Sequence, residues 1–378
     1  MNQPLSPSIL NAPEDRYSTH QVLNQALPAS GFNAFTGDQV LRDAINREAP
    51  WAASRCQALG AVAGDETVQE LARLANRHIP ELKTHDRFGN RIDWLEFHPS
   101  WHELMGLAWQ HEVPNLSWRT QEKNGHFARA VLSYLWNQVE HGTGCPTGMA
   151  YAAYAGFEAE PALAIWADKL KGTRYEYSRR EVGDKPSVVI GYAMTEKQGG
   201  SDLRETQTTA RFSHSADYHG ATAQWYELTG HKWFCSVPQS DGFFTLAKVN
   251  GGVTCFFLPR TLPDGRYNRF FVQRLKDKAG NRSNASSEVE YAGTLAIRVG
   301  ETVVRDGFVF TDLLPDEDGP GNLSERAVIR HHAEDGTVIE VSLSRQPEPK
   351  SRLSASASAA SSPIRVVNIW SAETTSST

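Results

Sequence analysis

The stretch from Gly191 to Asp241 limits what this chain can fold into more than any other part of it. It begins GYAMTEKQGGSD (191–202) and returns as GHKWFCSVPQSD (230–241). Each half sets small and hydroxylated residues beside an apolar strand. Thr195, Gly199, Gly200 and Ser201 lie on the first, and Phe234, Cys235 and Ser236 on the second. Two such strands make a wall for a flat heteroaromatic ring, because glycine lets backbone approach closely and short hydroxyls reach ring heteroatoms. Taken alone, Thr195, Gly200 and Ser201 read as an ordinary Gly-Gly turn, and Phe234 and Ser236 as a core strand with one satisfied hydroxyl. The recurrence gives the stretch its meaning.

Either side of this stretch the hydrophobic period differs. Residues 1–36 read as a polar arm with several prolines, and the pattern from Asp38 to about Leu170 is helical. Val68, Leu71, Leu74 and Ala75 recur at helical spacing, with Asp65 as their cap. Ser100 and Glu103 have the spacing of a capping box, with Trp101, Leu104 and Ala108 as the buried stripe behind them. A further helix is predicted from about Phe127 to His141, with Val131, Tyr134 and Leu135 inward and Gly142 as its stop. Near Pro186 the period changes. SVVIGYAM (187–194), QWYELTG (224–230), GFFTLAKV (242–249), VTCFFL (253–258), FFVQRL (270–275) and SEVEYAG (287–293) read as strands. Asn250-Gly251 between two of them is a hairpin signal. The fold class expected is therefore α+β: a helical domain over 37–185, then a β domain over 186–300 connected locally, which is not a Rossmann arrangement.

Residues 301–378 change character again, with an acidic DLLPDEDGPGN run (312–322) and a low-complexity SRLSASASAASS run (351–362). A divergent, mostly irregular and poorly ordered tail is expected there.

Composition narrows the function. Hydrophobic residues make up 40% of the 378 and charged residues 22%, enough for a sizeable core. A net charge of −6 argues against a chain built mainly to hold nucleic acid. Cys56, Cys145, Cys235 and Cys255 form no CxxC pair, so neither a disulfide framework nor a zinc site is indicated. His98 and His102 are four apart, but Pro99 and Ser100 start a helix between them, so no metal is expected. No secretory signal or membrane span is legible, and a cytoplasmic location is expected.

MTEKQGGSD, HKWFCSVPQSD and RLKDKAGNRSNASSEVEY (274–291), in that order, resemble the acyl-CoA dehydrogenase superfamily, and more narrowly its AidB-like, alkylation-response branch. ELARLANRHIPEL (70–82) and FHPSWHELM (97–105) fit the same branch, and the likeness runs from about residue 20 to about 300. The resemblance implies an N-terminal helical domain, a β-barrel-like middle domain and a C-terminal helical bundle. It implies FAD as cofactor, an acyl-CoA-type small molecule as substrate, α,β-dehydrogenation, homo-oligomers and, in full-length relatives, DNA as a partner.

Carried over by position, the backbone of Tyr192, Ala193, Met194 and Thr195 and the Thr195 hydroxyl would contact the flavin. Gly200 and Ser201 would lie near the ring or the acyl-CoA mouth. Phe234, Cys235 and Ser236 would form the other wall, with the Ser236 hydroxyl near the reactive nitrogen. No catalytic base is named. The third domain supplies it in the family, and Asn368-Ile369-Trp370-Ser371 has serine where a glutamate would stand. The expectation is a truncated or mis-framed member with impaired turnover. The alternatives are a nucleic-acid-associated protein of the alkylation response and an inactive fragment. Three groups have plainer readings. Lys276, Asp277, Lys278 and Arg282 read as a solvated mixed-charge loop, and Cys145 and Cys235 as buried small apolar residues. Trp101, Trp109, Trp118, Trp136 and Trp166 read as core.

Overall fold

The computed structural model describes residues 29–158, 160–249 and 252–300, together with the backbone of three short strands between 326 and 366. The chain opens with three helices, α1 (Gln39–Glu48), α2 (Ala53–Ala63) and α3 (Glu66–Arg77). Asp65 caps α3 as its position predicts, accepting from the Thr67 and Val68 amides at 2.8 and 3.1 Å. Next comes a feature that the helical reading misses, an antiparallel hairpin of β1 (Glu81–His85) and β2 (Arg91–Glu96). Its turn is held by Asp86, whose carboxylate accepts from the Phe88 and Asn90 amides, and by Gly89 at φ 84. The alternation in ELKTH and RIDWLE was the available signal.

Five helices follow: α4 (Pro99–Gln110), α5 (Leu116–Arg119), α6 (Gly125–Asn137), α7 (His141–Glu158) and α8 (Ala164–Leu170). Trp101, Leu104 and Ala108 of α4 are buried as expected, but the capping box is not formed. Pro99 occupies the first helical position, so His98 is the cap and its ring nitrogen accepts from the Ser100 amide. The expected Phe127–His141 helix divides in two. Gly142 belongs to the first turn of α7 rather than to a stop, since a Cβ there would collide with Ser283 and Asn284. Tyr134, expected inward, is 54% exposed.

From Ile190 the chain is a β-barrel. Its strands are β3 (Ile190–Ala193), β4 (Thr209–Tyr218), β5 (Ala221–Ser236), β6 (Gly242–Val249), β7 (Gly252–Pro259), β8 (Phe270–Leu275) and β9 (Ser286–Arg298). The pairings β3–β5, β5–β9, β9–β7, β7–β6 and β6–β3 close a ring, with β4 and β8 attached at its sides. Val249 pairs with Gly252, so β6 and β7 form the expected hairpin, while Asn250 and Gly251 themselves lie outside the described residues. β4 was not read from the sequence, because its burial pattern is largely exposed and carries little apolar alternation.

The barrel encloses its own core, which includes Ala193, Cys235, Phe243, Phe256, Val289 and Tyr291. A larger core fills the helical part and continues onto the barrel's outer face. At that seam Phe157 of α7 meets Phe244 and Phe257 with ring centroids 5.0 and 4.9 Å apart. Of the five tryptophans expected in the core, Trp101, Trp109, Trp136 and Trp166 are buried and Trp118 packs at the core's edge.

In the tail, β10 (Arg326–His332), β11 (Val338–Ser344) and β12 (Ile364–Val366) pair as a small sheet. The acidic and serine-rich runs of the tail, Asn368 to Ser371 and most of the N-terminal arm lie outside the described residues. Among the described residues no helix is long and apolar enough to cross a membrane, and no cluster of three or more metal-ligating side chains forms.

Candidate functional site

The two halves of the motif stretch are neighbouring strands. Tyr192 pairs with Ser236 and Ala193 with Cys235, antiparallel, and the Trp233 amide donates to the Thr195 carbonyl at 2.8 Å. So Thr195 and Ser236, 41 residues apart in sequence, flank one strand junction.

The structure divides the nine expected cofactor residues into scaffold and surface. Ala193 and Cys235 point into the barrel core and are fully buried. Burial pushes the Cys235 thiol up to about 12, so it stays protonated. Tyr192 and Ala193 have strands on both edges, β5 and β6, so their backbone groups belong to the ladders. The Tyr192 ring stacks on Phe244. Tyr192, Ala193 and Cys235 therefore lie behind the strand junction, as parts of the barrel's ladders and of the packing on either side of them. Met194 is half-buried against the larger core. Thr195 and Ser236 are half-buried, while Gly200, Ser201 and Phe234 are exposed, so these five present the surface. The Thr195 and Ser201 hydroxyls make no hydrogen bond among the described residues. Gly200 passes so close to Thr195 that a Cβ would sit 2.7 Å from its methyl, which explains glycine there.

Phe234 owes its exposure to an irregularity. Between Lys232 and Cys235 the β5–β9 register shifts, and an inserted residue turns an otherwise inward side chain out. Trp233 lies beside it, with Lys276 Nζ 3.2 Å from its ring centroid and Arg274 and Lys197 within 6.0 Å. Lys276 also pairs with Glu288 at 2.8 Å. Lys278 donates to the Asn284 carbonyl and the Ser286 hydroxyl. These two lysines are therefore bound into structure rather than solvated, whereas Asp277 and Arg282 are exposed as expected. Cys145 is half-buried, and burial raises the pKa of its thiol.

Sequence reasoning passed over the pair that fixes the loop. Lys232 and Glu196 form an ion pair at 2.7 Å with 0% and 1% side-chain exposure. Lys232 also donates to the Leu246 carbonyl at 2.8 Å. Glu196 accepts from the Thr208 hydroxyl and amide, the Gln207 amide and the Gln198 side chain. Burial raises the Glu196 pKa, but the hydrogen bonds from Lys232 and Thr208 outweigh it and hold the carboxyl low. Burial in turn lowers the Lys232 pKa against the pull of Glu196. The signal was present: Lys232 shares the inward face of β5 with Leu228, and an inward charge requires a partner.

A helical part packed on a closed barrel, with a hydroxyl-lined strand junction at the barrel's rim, defines the class: an acyl-CoA dehydrogenase-type architecture. Residues 24–177 match the family described as Adaptive response protein AidB N-terminal domain, and residues 191–294 the acyl-CoA dehydrogenase middle domain. The chain belongs to the acyl-CoA dehydrogenase superfamily and, within it, to the AidB-like branch. It is 41% identical to the AidB protein of Escherichia coli K12 over 288 residues, which is 75% of this chain and 52% of that protein. It is 25% identical over 248 residues to acyl-CoA dehydrogenase family member 11 of Caenorhabditis elegans, covering 62% of this chain and 38% of that protein. The chain thus spans about half the length, or less, of the curated relatives it matches. The crystal structure of C. elegans ACDH-11 in complex with C11-CoA superposes with a TM-score of 0.63 at 22% identity, over 77% of this chain and 50% of that one. Bd2924 in its apo form gives 0.63 at 24% identity, over 72% and 55%. These likenesses show the fold.

Proposed function

We propose that this chain is a flavoprotein that binds FAD against the rim formed by Thr195, Gly200, Ser201, Phe234 and Ser236, and takes an acyl-CoA-type thioester beside it. One observation carries the reading: the β3–β5 register brings two short hydroxyls, a side-chain-free glycine and an outward aromatic to one junction. The residues present fit the group, because a planar heteroaromatic needs an apolar face and edge hydrogen bonds, and Thr195 and Ser201 have hydroxyls free to give them. When bound, FAD would supply the hydride-accepting chemistry of an α,β-dehydrogenation. Phe234 would cover its face, and Thr195 and Ser236 would orient its edge. The acyl-CoA ligand is supported by the E. coli relative and by the C11-CoA held in the C. elegans structure.

Turnover is expected to be slow. The buried glutamates of this region are all engaged. Glu140 accepts from Ser283 and from the Thr143 amide at 2.7 Å, Glu196 pairs with Lys232, and Glu288 pairs with Arg274 and Lys276. Among the described residues none of these three glutamates is free to take an α-proton, and a positioned general base typically contributes a factor of about 10²–10⁴. The test is the visible spectrum after incubation with FAD and exhaustive dialysis, for the chain and for Thr195→Val and Ser236→Ala. A retained flavin band, weakened in both variants, is the expected result. A colourless protein, or variants that hold flavin as well as the parent, would remove the reading. Steady acyl-CoA-dependent reduction of an artificial acceptor would overturn the slow-turnover part alone.

A further inference from the structure

Away from the strand junction, a small cavity lies where the β1–β2 hairpin, the connecting segment at 177–179 and the barrel meet. Its volume is about 30 Å³, and its lining includes Asp93, Arg179, Gln239, Ser240, Asp241 and Arg260. That is the space of one water or one monatomic ion, too little for a phosphate or a carboxylate ligand.

Its charge is unbalanced. The two lining carboxylates are already neutralised, Asp93 by Arg91 at 2.9 Å and Asp241 by Lys185 at 2.6 Å. Val272 and Val189 amides supply their remaining hydrogen bonds. Arg179 and Arg260 form no ion pair among the described residues. Arg179 donates to the Ile92 and Asp93 carbonyls, and Arg260 to the Pro238 carbonyl. Burial lowers the Arg260 pKa to about 10, and repulsion from Arg179 adds to the fall, so the two guanidiniums feel one another. The second observation is independent of charge. Ser240 is 1% exposed, lines the cavity, and its hydroxyl has no partner among the described residues; the Gln239 side-chain amide has none among them either. Buried polar groups are ordinarily paired, so unpaired ones call for a missing ligand.

We propose that this cavity is a binding site for one small monovalent anion of chloride size, which bridges the Arg179–Arg260 pair and the Ser240 hydroxyl and fastens the hairpin to the barrel. An anion answers both anomalies at once: it offsets two unpaired cations and accepts from the hydroxyl and from the Gln239 amide nitrogen. A water would satisfy the hydroxyl and leave the repulsion in place. The site is independent of flavin binding, and its failure would leave that reading untouched.

Thermal unfolding of the 378-residue chain in chloride and in gluconate at equal ionic strength tests the proposal, with Ser240→Ala and Arg260→Gln alongside. With chloride about 100-fold above its Kd, the melting temperature should rise on the order of 5 °C over gluconate. Ser240→Ala removes only a hydroxyl, keeps the fold, and should weaken the chloride dependence at least about tenfold. Crystals soaked in bromide should show an anomalous peak beside Ser240 and Arg260. Equal melting in both salts, an unchanged rise in Ser240→Ala, or a bromide-soaked crystal with only water in the cavity would each overturn the assignment.

Discussion

The helical part and the barrel solve burial by opposite means. In the helical part the interior is apolar and aromatic: Trp101, Trp109, Trp136, Leu104 and Leu132 are at most 1% exposed. Asp38 and Asp65 serve helix ends, and the buried Arg129 donates to the Val113 and Thr147 carbonyls rather than to a carboxylate. The barrel buries ion pairs. Lys232 with Glu196 and Lys185 with Asp241 are pairs at 2.7 and 2.6 Å that pin a loop and a strand end. The difference follows from geometry. A helix satisfies its own backbone, so its buried face can be wholly apolar. The barrel leads into irregular segments at its rim, and their backbone amides need acceptors, which Glu196 and Asp241 supply. The expected flavin surface lies on that rim, so the buried ions hold the part of the molecule that has to keep its shape.

The comparison breaks most readily at Lys232. Lys232→Met leaves Glu196 buried and unpaired, and should cost about 3–5 kcal/mol in chemical unfolding, the largest effect expected of a single change. Leu132→Ala in the helical core should cost about 2–4 kcal/mol by cavity formation, with no dependence on pH. If Lys232→Met proves the milder of the two, the barrel does not depend on its ions. Acid sharpens the contrast. The folded Glu196 pKa of about 2 lies below its ordinary 4.5, so its contribution is complete above about 4.5 and fades as pH falls toward 2. Below pH 4 the barrel amides should therefore lose hydrogen-exchange protection before those of α6 and α7. Asp65→Ala should be the smallest, about 1 kcal/mol, and should speed exchange in the first turn of α3 alone.

Much of the fold was legible, and the exceptions are instructive. Strands such as GFFTLAKV and FFVQRL were read to the residue, because each opens on a run of aromatic and aliphatic residues that packs into a core. β4 was missed because it lies at the side of the barrel with little of its surface covered. The β1–β2 hairpin was missed because helical sequence surrounds it. Of the site, the sequence marked both halves, but it could not say which side chains face out. Cys235 and Ser236 look alike as small residues in a row; one closes the barrel core and the other lies at the rim.

What the sequence determined by itself was local and periodic: helix against strand, the caps at Asp65, the Asn-Gly turn, and two hydroxyl-bearing motifs of one kind. Tertiary structure alone decided the rest. Closure of β3 onto both β5 and β6 consumed the Tyr192 and Ala193 edges. The shift between Lys232 and Cys235 turned Phe234 outward. Chain segments far apart in sequence brought Lys232 to Glu196, and Arg179 to Arg260. Such outcomes depend on which groups meet across long loops, and hydrophobic periodicity records only which face of an element is buried, not what lies opposite it.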